Sequence, residues 1–344
     1  MNEHGFRILS LDGGGVRGAF TAAFLAQVER KLGKPVGEYF DLIAGTSTGG
    51  IIATALALGE SAAAVETMYE RHADSIFTRP PGRGLPLWAR ILGPLVRKRW
   101  RGIDEAWLLG TKYGSDSLRR ALTEVLGDRT LEQAKRRLLV PAVDIARGQT
   151  VVFKTPHLPG LDRDRHFRAV DVVMATTAAP TYFPHAVIGT GSAYCDGGLW
   201  ANNPSVVAIA EACRISEACA RPGIDTPFVS SDIKLLSIGT GECSYFVRPP
   251  GDSAGMLFWG PRVIDVMGAS QSQGIGFLCQ YLLSGDRYRR VDFQMGQGGW
   301  RLDAVDMLTT LLHRGREEAE SQFELLKPVF FDTSASSLTP FPRP

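Results

Sequence analysis

Between residues 41 and 59 the chain reads DLIAGTSTGGIIATALALG, and no other stretch constrains the fold as strongly. DLIAG is apolar enough for a buried parallel strand. TGGIIATALALG carries helix-forming Ala and Leu, small residues in its first turn and Gly59 as a stop. A strand that reverses into a helix within a few residues crowds its own backbone. Gly45 and Gly49 flank Ser47 at the two positions where a side chain would collide, which gives the G-x-S-x-G spacing of a nucleophile elbow. Such a turn presents the serine hydroxyl at the carboxyl end of a sheet, above a helix amino terminus that favours developing negative charge. The same letters also suit a plain Gly-rich turn with an N-capping serine, so the motif needs partners elsewhere in the chain.

The surrounding order supplies a context. FRILSLD reads as a strand, followed by a Gly-rich loop, the helix AFTAAFLAQVERKL, the strand YFDLIAG, and the elbow with its helix. This βαβα order predicts an α/β fold with a mainly parallel sheet and helices packed on it. Downstream we expect a helix near 115–127, strands in RLLVPAVDIA and TVVFKT, and a helix in FRAVDVVMATTAAP stopped by Pro180. A strand ending in SAYCDGG, a helix opening near Pro204, the buried strand IKLLSIGTG and helical patterns near 262–284 and 303–326 follow. Residues 78–103, TRPPGRGLPLWARILGPLVRKRWRGI, are broken by Pro and Gly and read as a lid-like insertion. The whole is one domain over 1–330, with a loosely held Ser/Pro-rich tail over 331–344.

Composition narrows the functional classes. A formal charge of +2 argues against a surface that coats nucleic acid, so no nucleic-acid polymer is expected as a partner. The amino terminus lacks the order of a signal peptide, and no apolar stretch approaches the roughly 20 residues of a membrane span; the expectation is a cytoplasmic protein. The five cysteines show no C-x-x-C or Cys/His ligand spacing and read as free thiols, with Cys195 a small strand residue rather than a nucleophile. H-E-x-x-H is absent, and neither a metal site nor a cofactor is expected.

The first strand ends in DGGGVRG, where Gly13 to Gly18 spell G-x-G-x-x-G, the dinucleotide-binding fingerprint, with Glu38 and Asp41 roughly where a ribose-binding acid belongs. That acid should stand at the tip of the second strand, yet this tip is GTSTGG and Asp41 lies at its start. Consecutive glycines have a second use: they let backbone N–H groups point into a cleft as oxyanion donors. Arg17 either adds charge and holds this loop or is an ordinary salt-bridged surface arginine.

The general base is the remaining question. Of the six histidines only His313 comes late enough for the usual triad order, and it sits in the charged helix LTTLLHRGREEAE; His185, after a proline, is the other candidate. Asp196, in YCDGGLWANNP, stands at a strand end followed by two glycines and can reach a serine directly if the loops close. Aspartate is a weak base, with a reference pKa of about 3.9, and needs partial desolvation and a well-placed hydrogen bond to serve. Asp-Gly is also a common turn pair that caps its own backbone.

Taken in order, DGGGVRG, GTSTG and DGG, with ATTAAPTYFP upstream of the aspartate, resemble the patatin-like phospholipases from Phe6 to the strand ending at Gly241. The resemblance implies a three-layer αβα fold and a Ser–Asp dyad acyl hydrolase. Ser47 would be nucleophile and Asp196 general base, with Gly13, Gly14, Gly15 and the Arg17 amide as the oxyanion segment. The implied reaction releases fatty acids from membrane glycerophospholipids through an acyl-enzyme, without calcium or another metal. A narrower likeness, in SLDGGGVRGAFTAAFL and FKTPHLPGLDRDRHFRAVDVVMATTAAPTYF, is to bacterial patatin-like effectors switched on by cyclic dinucleotides such as cyclic GMP–AMP, which degrade the cell's own membrane in antiphage defence. It implies a cyclic dinucleotide ligand and peripheral action at the inner face of the cell membrane. Arg163, Arg165 and His166 are candidate phosphate contacts. A constitutive or partner-regulated hydrolase and a lipid- or nucleotide-binding pseudoenzyme are the alternatives.

The insertion suits a phospholipid membrane surface. Trp88 and Trp100 can sit at headgroup level while Arg97, Lys98 and Arg99 meet anionic lipid, each cation contributing about 1 kcal/mol there. A solvated basic loop is the plainer reading of the same residues.

Overall fold

FRILSL has no exposed residue. A strand buried on both faces needs a layer on each, and that requirement organises the protein. The computed structural model describes residues 5–78, 111–189, 191–219, 228–243, 255–259, 263–296 and 301–338. The strands are β1 (Phe6–Leu11), β2 (Leu42–Gly45), β3 (Arg137–Asp144), β4 (Gln149–Lys154), β5 (Ala186–Ile188), β6 (Ser192–Asp196), β7 (Ile233–Ile238), β8 (Glu242–Cys243), β9 (Tyr288–Val291) and β10 (Gln294–Met295). The main helices are α1 (Gly18–Leu32), α2 (Thr48–Ala57), α3 (Ala62–Ile76), α4 (Asp116–Leu126), α5 (Ala169–Thr176), α6 (Ser205–Cys219), α7 (Val263–Leu282) and α8 (Leu308–Phe330).

The main sheet runs β5-β6-β3-β2-β1-β7-β9, with β4 also on β3. Strands β3, β2, β1, β7 and β9 are parallel; β4 and β6 run antiparallel to β3, and β5 antiparallel to β6. A separate short pair joins β8 to β10. Alternation along each strand divides the core. Leu9 and Leu11 of β1, Ile43 of β2 and Leu236 and Ile238 of β7 face Phe20 and Phe24 of α1, Ile52 of α2 and Leu326 of α8. Phe6, Ile8, Leu42, Leu235 and Ile233 face Ala208 and Ile215 of α6 and Cys279 of α7. The result is the three-layer αβα architecture with a mainly parallel sheet that the sequence implied.

Register then places the functional ends. Leu11 stands opposite Gly45 on one side and Ile238 on the other, so the tips of β1, β2 and β7 are level. Asp196 pairs with Ala142, three residues beyond the Leu139 that faces Ala44, which brings the end of the antiparallel β6 to the same edge.

Several boundaries differ from the sequence reading, each for a local reason. The second strand starts at Leu42 because Val36–Tyr39 forms a 3-10 turn and the Asp41 carboxylate accepts the Arg7 amide at 2.9 Å. Helix α5 ends at Thr176, before Pro180, where the Thr177 hydroxyl bonds back to the Val173 carbonyl at 2.8 Å. The tail is not loose where it is described. Ala335 N–H donates to Glu38 O at 2.7 Å, Leu338 N–H donates to Lys135 O at 2.9 Å, and the buried Arg7 guanidinium holds Asp332 at 2.9 Å. The insertion at 78–103, with Trp88, Arg97, Lys98, Arg99 and Trp100, lies outside the described residues apart from Thr78, as does the tail after Leu338.

Helix α8 lies close against α1, and Gly315 makes that approach possible: a Cβ there would stand 2.3 Å from Phe20 O and 3.0 Å from Ala23 Cβ. Helix propensity alone favours Ala over Gly by about 1 kcal/mol, whereas forcing an extra methyl into a packed contact costs about 1–3 kcal/mol. Gly315→Ala should therefore destabilise by up to about 2 kcal/mol; a raised denaturation midpoint would show that the two helices are not in this contact.

Candidate active site

Ser47 occupies φ 53, ψ −121, a region that non-glycine residues rarely enter and that costs about 1–3 kcal/mol. Its neighbours hold it there. The Ser47 amide donates to Thr176 Oγ1 at 2.9 Å, and Thr176 in turn donates to Pro141 O at 2.6 Å. The Thr46 amide donates to Leu11 O at 3.2 Å, and its hydroxyl to Ala201 O at 2.5 Å. The flanking glycines are required by space: a Cβ on Gly45 would lie 2.1 Å from Gly49 O, and one on Gly49 would lie 2.3 Å from Leu11 O. The first turn of α2 begins directly after the serine, so the helix amino terminus lies beneath it.

Ser47 Oγ donates to Asp196 Oδ2 at 2.6 Å, and the Gly198 amide donates to Oδ1 at 2.7 Å. No cation touches this carboxylate among the described residues. Burial pushes its pKa up to about 6, tempered by the hydrogen bonds from Ser47 and Gly198. Gly197 lets the loop close, since a Cβ there would stand 2.3 Å from Pro141 O.

The Gly-rich loop completes the group. A Cβ on Gly13 would lie 3.2 Å from Ser47 Cβ. The sequence reading gives the oxyanion amides to Gly13, Gly14, Gly15 and Arg17, and the structure narrows this set. The Gly13 amide donates to Asn202 O at 3.0 Å and the Arg17 amide to Gly14 O at 3.2 Å, while the Val16 amide donates to Leu302 O at 2.8 Å. Gly14 and Gly15, both lining the cavity, keep amides without a protein acceptor among the described residues. Gly15 has φ +60, and the Leu302 carbonyl stands where its side chain would be. Arg17 folds back, its Nε donating to Gly14 O at 3.2 Å, and so holds the loop. Beneath it, Asp12 accepts two hydrogen bonds from Arg290, at 3.0 and 2.7 Å, and one from Ser272 at 2.7 Å. Burial opposes the Arg290 charge, but Asp12 and Asp292 outweigh it and raise its pKa.

A cavity of about 700 Å³ opens over these atoms. Ile51, Met68, Ile76, Phe77, Leu118 and Phe183 give it an apolar wall; Arg17, Thr240, Asn202 and Gln273 give it a polar one. The volume suits a lipid-sized or drug-sized ligand.

The other candidates fall away from the site. None of the described histidines lines the cavity; the His313 side chain is 70 % exposed and paired with Glu317, and His185 is exposed. Cys195 is buried, and that burial raises its thiol pKa. Arg163 is paired with Asp164, Arg165 with Glu132 and Asp162, and His166 lies against Glu132, so carboxylates occupy the charges proposed for phosphate. Asp41, the candidate ribose ligand, instead accepts the Arg7 amide at the start of β2. Thr176, Asn202 and Arg290 support the site and were not singled out from sequence. ATTAAP and WANNP carried a signal for the first two, as conspicuous runs of small and amide residues. YRRVD carried none for Arg290.

Comparison with known proteins gives the chain a family. The family model described as patatin-like phospholipase matches residues 9–209. A protein of Vibrio cholerae named cGAMP-activated phospholipase is 35% identical, the match covering 96% of this chain and 95% of that one. Proteins of the same name from Escherichia coli and Pseudomonas aeruginosa are 37% and 33% identical, covering 71% and 94% of this chain and 64% and 90% of theirs. The chain belongs to the patatin-like phospholipase family of lipid acyl hydrolases.

Proposed function

We propose that the protein cleaves acyl esters of membrane glycerophospholipids with Ser47 as nucleophile and Asp196 as general base. The observation that carries this reading is the 2.6 Å hydrogen bond from Ser47 Oγ to a buried carboxylate. Asp196 takes the Ser47 proton as Oγ attacks the ester carbonyl. The Gly14 and Gly15 amides and the α2 amino terminus face the resulting oxyanion, where one donor is worth about 10²–10³ in rate. Collapse expels the lysolipid alkoxide, which receives the proton from Asp196, leaving an acyl-Ser47. Asp196 then deprotonates water, which attacks the acyl ester, and the proton returns to Ser47 as the fatty acid leaves. The acyl chain lies along the Ile51, Met68, Phe77 and Phe183 wall, and the headgroup side meets Arg17, Asn202 and Gln273.

A cyclic dinucleotide switches this activity on, in antiphage defence. The names of the Vibrio, Escherichia and Pseudomonas relatives support the cyclic-dinucleotide switch. The enzyme acts from the cytoplasm on the inner face of the cell membrane. In support, α7 exposes Met267, Phe277, Leu278, Tyr281 and Leu282 and also supplies Ser270 and Gln273 to the cavity wall, so an apolar strip continues the rim.

Three measurements test these points. Ser47→Ala and Asp196→Asn should each lower fatty-acid release from phospholipid vesicles by about 10³-fold or more; retained release by Ser47→Ala would overturn the assignment. Asp196 must be ionised to act as base, so kcat/KM should fall as pH drops through about 6. A profile flat down to pH 4.5 would exclude this carboxylate as the base. Release should also rise at least tenfold on adding cGAMP; equal rates with and without it would discard the switch and keep the enzyme.

A further inference from the structure

The Val16 amide that leaves Gly14 and Gly15 free is itself held by one carbonyl, that of Leu302, and the next residue anchors that carbonyl. Asp303 has a side chain only 1 % exposed. Its carboxylate accepts Arg301 Nε at 2.9 Å and Nη2 at 3.0 Å, the Tyr113 hydroxyl at 2.6 Å, and Lys112 Nζ. Tyr113 and Lys112 are in turn fixed by their backbones. The Lys112 amide donates to Thr181 O at 2.9 Å and the Tyr113 amide to Tyr182 O at 2.8 Å, and Thr181 and Tyr182 line the cavity. Thr181, at φ 71, is one of two non-glycine residues with positive φ among the described residues, the other being Ser47. Two segments far apart in sequence, 112–113 and 301–303, therefore meet at one carboxylate, and the first of them is tied in turn to 181–182. Burial opposes its charge, but hydrogen bonds from Arg301, Lys112 and Tyr113 outweigh burial and bring its pKa to about 2, so it is ionised throughout the working pH range.

We propose that Asp303 is a positioning residue for the oxyanion loop: by fixing residues 301–303 it seats the Leu302 carbonyl on the Val16 amide and aims the Gly14 and Gly15 amides into the cavity. The inference rests on the reading of those two amides as oxyanion donors. No substrate atom need touch Asp303. Its effect passes along the backbone to Leu302 and through one hydrogen bond to Val16. A lost seat lets the loop turn, and displacement of a catalytic group by about 1 Å costs on the order of 10²-fold.

The test uses a short soluble ester, for which membrane docking does not enter, together with amide hydrogen exchange. Asp303→Asn should lower kcat about 10- to 100-fold with KM changed less than about threefold. Exchange should quicken at least tenfold in 13–18 and 301–303, with the rest of β1 and β7 as in wild type. A kcat within twofold of wild type, or faster exchange spread evenly through the sheet, would overturn the proposal. If Asp303→Asn does not fold, Tyr113→Phe removes one donor and should give a several-fold kcat loss with the same local exchange; no change in either would equally overturn it. Wild type against Ser47→Ala on the same ester reports on the nucleophile separately, so the two readings fail independently.

Discussion

A buried carboxylate with no cation beside it among the described residues is the constraint on which the site depends. Asp196 has a serine hydroxyl and one backbone amide for partners, and burial lifts its pKa from 3.8 to about 6. A shift of that size corresponds to about 3 kcal/mol. Its sign sets both stability and chemistry. The folded pKa lies above the unfolded one, so folding is penalised once pH exceeds about 4, and the penalty levels off above about 6. The protein thus carries its greatest cost from this residue in the pH range where the proposed base is ionised. A salt-bridged aspartate would be cheaper to bury and too weak a base. Asp303 shows the contrast within the same molecule: a carboxylate with three cationic or hydroxyl partners, held at about 2 and suited to anchoring rather than to proton transfer.

The second cost is conformational, and the same segments offset it. Ser47 at φ 53 is tolerated because its amide has a fixed acceptor in Thr176, whose hydroxyl is fixed by Pro141 O. Pro141 also packs against Gly197, next to Asp196. One point on β3 therefore positions Ser47 and Asp196 together, from opposite sides of the strand order β6-β3-β2. The loop after β1 is fixed independently, from β7 and β9, through Arg290 and Asp12. Strain at the elbow is local, and it is held by Thr176 at the end of α5, by Leu11 of β1 and, through Thr176, by Pro141 of β3.

Much of this was legible in the sequence, and the limits have physical causes. G-x-S-x-G announced itself because Gly45 and Gly49 each face a backbone carbonyl at a distance no side chain can share. The three layers were legible because buried parallel strands read as near-continuous apolar runs. The choice among loop amides was not legible: Gly13, Gly14 and Gly15 are identical as letters, and only the positions of Asn202 O and Leu302 O separate the engaged amide from the free ones. Arg290 and Asp303 were invisible for a similar reason. Each acts through a partner more than a hundred residues away, Asp12 and Tyr113 respectively, and local patterns carry no such pairing. The tail misled because its composition is that of a loose terminus, while Arg7, Arg136 and the Glu38 carbonyl were waiting for its backbone and for Asp332.

The closeness of Ser47 to Asp196 also bears on control. With Oγ and Oδ2 at 2.6 Å, Gly13 against Ser47 Cβ and Gly198 against the carboxylate, there is no room for an imidazole between nucleophile and acid. In the proposed mechanism one carboxylate carries the proton in both directions, so proton transfer needs no second residue to be brought into place. The dyad is already assembled in this conformation. A ligand that switched such an enzyme would then have little to gain at Ser47 or Asp196 themselves. It would act where the assembly is held from outside: on entry to the cavity, or on the loop of Gly14 and Gly15, whose neighbour Val16 is held by Leu302, next to the Asp303 that Lys112 and Tyr113 hold.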